Sequence, residues 1–122
     1  MAKNFIKEGK HLAFTASGAK SSGQAVVLGT LLGVALTAVE NSAEGEAAVE
    51  GVWELPKASG ATINAFSRPI WDVSAGEFIA SGAAEGDLIN AVVAVEAAGS
   101  GTGTVKAKLL PGAGSLQPSG GG

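Results

Sequence analysis

"AVVLGTLLGVALTAV", Ala25 to Val39, is a run of fifteen residues without a charge. It contains Gly29-Thr30-Leu31-Leu32-Gly33, the G-x-x-x-G spacing that packs helices together in membranes. Length argues against a span: a helix of this size rises about 22 Å, against a hydrocarbon core of roughly 30 Å. The flanks do not extend it, because Ser21-Ser22-Gly23-Gln24 is polar and Glu40 follows directly. A secretory signal would begin near the N-terminus, whereas this run begins after 24 mostly polar residues. Its β-branched residues, broken by Gly29 and Gly33, predict two short buried strands with a glycine-punctuated bend between them.

Composition extends that reading to the whole chain. A length of 122 residues suits one domain. With 19 glycines and many Ala and Ser, the chain points to tight turns and short strands rather than helices. There is no Cys, which excludes disulfides, thiol catalysis and Cys-ligated zinc, and the single His11 cannot build a His-rich metal site. A net charge of −3 argues against a dedicated nucleic-acid binder, which normally carries a basic surface. The charge is unevenly placed. Lys3, Lys7, Lys10 and Lys20 stand against Glu8 alone, and then Glu40, Glu44, Glu46, Glu50 and Glu54 follow with no base among them. A basic arm and an acidic middle suit docking on a partner or on further copies; solvated faces are the plainer reading.

The clearest alternation is "GEAAVEGVWEL", Gly45 to Leu55, read as one half-buried strand. Ala47, Val49, Gly51, Trp53 and Leu55 point inward, and Glu46, Glu50 and Glu54 outward. "TGTVKAKLL", Thr102 to Leu110, repeats the design with Val105, Ala107 and Leu109 inward. Each is preceded by an apolar strand and a small polar turn. Gly33–Val52 and Asn90–Lys108 are therefore predicted to be two related hairpins, a pattern that suggests internal duplication. Further strands are expected at His11–Ala16, Ala61–Phe66, Pro69–Val73 and Glu77–Ser81, with turns at Ser17-Gly18, Lys57–Gly60 and Ser74–Gly76. Ser74-Ala75-Gly76-Glu77 also fits a helix capping box, but Gly76 in its first turn favours strand. The expected organisation is an arm over residues 1–10, a small all-β antiparallel barrel or sandwich over 11–110, and a flexible Gly-rich tail over 111–122.

No constellation for catalysis emerges, so no enzymatic activity and no cofactor is expected. "SGAKSSG", Ser17 to Gly23, lacks the glycines that a phosphate loop requires before its Lys. Glu46, Glu50 and Glu54 share a water-facing side, where nothing raises a carboxyl pKa for acid catalysis. Glu85-Gly86-Asp87 offers at most a weak calcium loop, and a plain polar turn is the simpler reading. Trp53 falls on an inward face. Trp71, in "RPIWD" after Arg68-Pro69, suits an edge strand, where it serves either as an interface anchor or in core packing.

Several elements in order carry a resemblance: "MAKNFIKEG" at the start, Ser22-Gly23, Gly33-Val34-Ala35, "GVWELPKASG" from Gly51 to Gly60, Trp71-Asp72, and a closing strand that ends in Lys108-Leu109. Together they resemble the small capsid decoration, or cement, proteins of tailed bacteriophages and prophages, over about residues 2–110. The sequence departs from that family at Asn64–Pro69, where a Gly-Asp turn is usual, and in the length of its tail. The resemblance implies a structural virion protein on the outer surface of the phage head. It would bind the major capsid protein and itself, as a homotrimer or else a dimer, with no membrane and no nucleic acid as partner. On this reading Lys3, Asn4, Phe5, Ile6 and Lys7 form a strand-like contact arm, with Pro69 and Trp71 as further contacts; packing of Phe5 and Ile6 into their own domain is the alternative. A small β-domain that binds surface carbohydrate through loops around Trp71 is the other functional reading.

Overall fold

The computed structural model describes residues 9–118. Eleven strands occur there and no helix: β1 (His11–Thr15), β2 (Ala25–Leu28), β3 (Leu31–Ala35), β4 (Glu44–Ala48), β5 (Val52–Pro56), β6 (Ile70–Asp72), β7 (Glu77–Ile79), β8 (Leu88–Ile89), β9 (Val92–Ala94), β10 (Thr104–Leu109) and β11 (Ser115–Leu116). They form three antiparallel sheets, ordered β1-β4-β3-β2, β5-β10-β9 and β11-β8-β6-β7, and these do not close into a barrel.

The uncharged run opens into the β2–β3 hairpin, with Leu28 opposite Leu31 across Gly29-Thr30. Gly29 has φ +63° and Thr30 is not left-handed, which is the type II′ pattern that matches strand twist. The hairpin is buried on both faces. Val26 packs into a cluster with Phe14, Ala16, Val39 and Ala47, while Ala25, Leu32 and Val34 join the main core. Burial on two sides is why the stretch is apolar without alternation.

Gly45–Leu55 is two strands, not one. The chain breaks at Glu50-Gly51, where Gly51 has φ +104°, and β4 and β5 enter different sheets. The expected inward set holds at Ala47, Val49 and Leu55, and Trp53 is half-buried against the core. Ala61–Phe66 forms no strand, only a bridge between Ile63 and Ala98 followed by a turn. The Ser74–Glu77 segment closes the β6–β7 hairpin, where the Gly76 N–H donates to Asp72 O at 2.8 Å. Beyond Leu110, strand β11 joins the third sheet. Ser115 and Leu116 pair with Ile89 and Leu88, and Gln117 and Asp87 bond through their backbones at 2.7 Å.

The duplication is legible in the hydrogen bonds. In the first half Gly23 N–H donates to Ala35 O (2.8 Å) and Ala35 N–H to Gln24 O (2.9 Å); in the second, Phe66 donates to Ala94 (2.6 Å) and Ala94 to Ser67 (2.8 Å). Lys20 and Val39 exchange a reciprocal pair of bonds, and so do Ile63 and Ala98. Ser42 donates to Ala16 O and Gly101 to Ser59 O, at 2.8 and 2.6 Å. Hairpin β3–β4 matches β9–β10, and β1 on β4 matches β5 on β10. Between the matched anchors the first half has only positions 25–34, whereas the second has positions 68–93, which carry β6, β7 and β8.

Candidate functional site

Edge strands and exposed apolar side chains are what an all-β body offers a partner. Strand β2 is one such edge. Its two-residue turn makes Leu28–Leu31 and Val26–Gly33 the hydrogen-bonded pairs, so Ala25 and Val27 turn their N–H and C=O groups away from β3. Along this edge runs a groove of about 400 Å³, lined by β2, by Phe14 and Lys20, and across from them by Pro56, Trp71 and Val73–Gly76. It therefore lies between the first half's sheet and the inserted β6–β7 hairpin.

Trp71 is 5 % exposed and packs edge-to-face on Phe78, with ring centroids 4.9 Å apart and planes at 77°. Pro69 is also buried. Neither projects from the surface, and a partner meets Trp71 only through the groove it lines; so buried a ring leaves little face for a sugar to stack on. Lys3, Asn4, Phe5, Ile6 and Lys7 lie outside the described residues.

Both aspartates have structural partners. Asp72 Oδ1 accepts from Ser74 N–H (3.2 Å), Ser74 Oγ (2.9 Å) and Ala75 N–H (3.2 Å), which fixes the β6–β7 turn. Asp87 is buried, and its oxygens accept from Val73 N–H (3.2 Å) and Ala84 N–H (2.9 Å). Together with the Asp87 N–H bond to Ala84 O (3.0 Å), the bond from Ala84 N–H closes the Ala84–Asp87 turn. Among the described residues no group of three or more His, Asp or Glu is placed to hold a metal ion. The Lys57–Gly60 turn hides a lysine: Lys57 is 2 % exposed, and its Nζ donates to Ala58 O (2.7 Å) and Ala61 O (2.6 Å).

The most exposed large apolar side chain described is Phe66, at 76 %, followed by Val52, Val73 and Leu116. Composition gives no sign of it, since a Phe in an apolar segment reads as core. The usable signal is the likeness of the two halves, which sets Phe66 opposite Gly23.

Among protein families, the model described as phage cement protein matches residues 6–109. No curated protein and no solved structure gives a significant match to the chain.

Proposed function

The chain belongs to the phage cement protein family, and from that premise we propose that it binds the major capsid protein of an assembled phage head in many copies and reinforces the shell. Membership in a cement family places it on the outer surface of the virion capsid. Family membership is the observation that carries the proposal. The architecture suits such a role, because a sheet-rich body with exposed apolar points can make several shallow contacts at once. Joining modest contacts through an oligomer raises avidity by about 10² to 10⁴ without new chemistry.

A homotrimer, with a dimer as the alternative, is the assembly we propose. The arm Lys3-Asn4-Phe5-Ile6-Lys7 has the composition of an added strand, and the outward edge of β2 is one of the sheet edges that offer such a strand a place to pair. The test is reconstitution on heads assembled without this protein. Saturable binding at symmetry-related positions, with heads that survive greater heat or osmotic shock, is the expected result. Heads that gain neither density nor resistance would end the proposal. Removing residues 2–7 is expected to leave the melting temperature unchanged and to lower occupancy; full occupancy would take the arm out of the account.

A further inference from the structure

We infer that Phe66 is an anchor by which this protein grips the capsid surface, an inference that rests on the cement reading above. The backbone at Phe66 is left-handed, with φ +66°. Among residues other than Gly that conformation is uncommon, and for a bulky one it is an outlier. The fold imposes it. Phe66 N–H is tied to Ala94 O at 2.6 Å, and the turn that contains Phe66 is closed by Ser67, whose N–H and Oγ both donate to Asn64 O. In the first half the matching backbone bonds run from Gly23 N–H to Ala35 O and from Gln24 N–H to Ser21 O, and Gly23 has φ +85°. Glycine takes that conformation without steric cost. The second half thus carries an aromatic ring where its own architecture calls for glycine.

The ring returns little to the fold that strains it, being 76 % exposed. Strain without internal compensation marks a group whose use lies outside the chain. Aromatic side chains and Arg dominate the energetics of protein contacts, and the exposed Arg68 stands two residues on. The partner chemistry that fits is an apolar depression on the outer face of the capsid protein, able to enclose one phenyl ring. A single ring on a tied-down loop suits contacts that are individually shallow and repeated over a shell.

Phe66→Gly separates this role from a structural one, because it installs the residue found at the matched position. The melting temperature is expected to stay level or rise, while affinity for assembled heads falls by about tenfold or more. Phe66→Tyr, which keeps both ring and strain, is expected to bind as the parent does. Unchanged binding by Phe66→Gly overturns the inference while the cement reading stands. A lowered melting temperature overturns it in favour of a packing role. Loss of oligomer by light scattering, with head binding per protomer retained, assigns the ring to a second copy instead. Parent protein that binds no heads removes the cement reading and this inference with it.

Discussion

The two halves share a hydrogen-bonding plan, yet they are stabilised differently. The first half keeps a small cluster of its own: Phe14, Ala16, Val26, Val39 and Ala47. The second half and its inserted strands hold the main core, which includes Leu55, Ile63, Trp71, Phe78, Leu88, Val92 and Val105. The inserted segment is therefore no ornament on a duplicated plan. It supplies Trp71, Phe78 and Leu88, around which the second half condenses. Among the described residues, the first half reaches this core through its β2–β3 hairpin, at Ala25, Leu32 and Val34. Two copies of one plan can thus share one fold when an insertion in one copy builds a core that the other leans on.

The largest expected effect tests that asymmetry. Phe78, 1 % exposed, sits at the centre of the main core, and Phe78→Ala is expected to cost about 4 kcal/mol. Phe14→Ala, in the smaller and more exposed cluster, is expected to cost about 3 kcal/mol or less. Denaturant midpoints of the two variants measure the difference. Hydrogen exchange sharpens it: β1 and the outer part of β4 are expected to open at lower free energy than β9 and β10. Equal costs and uniform protection would make the molecule one undivided core.

The same comparison explains what the amino-acid order reveals and what it hides. Strand β10 is readable because it has one wet face, so Val105, Ala107 and Leu109 alternate with Lys106 and Lys108. Likeness between Gly33–Val52 and Asn90–Lys108 points to matched hairpins because both pairs of strands keep the same turn between them. The break at Glu50-Gly51 is hidden, since alternation continues on both sides of it and only the backbone turns. Ala61–Phe66 looks like a strand because Ile63 and Phe66 are apolar, but it makes one reciprocal pair of bonds with Ala98 and one bond from Phe66 to Ala94, not a continuous ladder. Strand β11 is hidden for the opposite reason: it is two exposed residues held by backbone bonds, which leave no hydrophobic pattern. For the candidate contact surface, little is readable. Exposure of Phe66 depends on a turn whose geometry shows only when the halves are superposed, and Trp71 is buried by a hairpin that the first half lacks.

A middle-sized effect lies where the second half meets the insertion. Lys57 bridges in parallel to Phe78 and is buried with its Nζ on two backbone carbonyls. Lys57→Met keeps the apolar stem and removes the donors, leaving the carbonyls of Ala58 and Ala61 without that partner. The expected loss is about 1–3 kcal/mol, read from thermal or urea unfolding. A variant as stable as the parent would mean that water replaces the ammonium and that the junction is wetter than the burial of Lys57 indicates.

The smallest effects come from the turns that both halves must make. Each half needs a left-handed residue at two matched places, and glycine occupies one place in each: Gly23 against Phe66, and Gly101 against Ser42, with φ +97° and +69° at the latter pair. The plan fixes the conformation, so the side chain sets only its cost. Gly23→Ala is expected to destabilise by about 1 kcal/mol, although an added Cβ there would meet open space. Ser42→Gly is expected to stabilise by a smaller margin, because relief of left-handed strain is partly offset by the greater freedom of an unfolded glycine. Opposite signs in the two melting temperatures would show that backbone geometry, inherited by both halves, governs these sites. Shifts of the same sign would mean that the match between the halves stops at their hydrogen bonds and does not extend to the energetics of their turns.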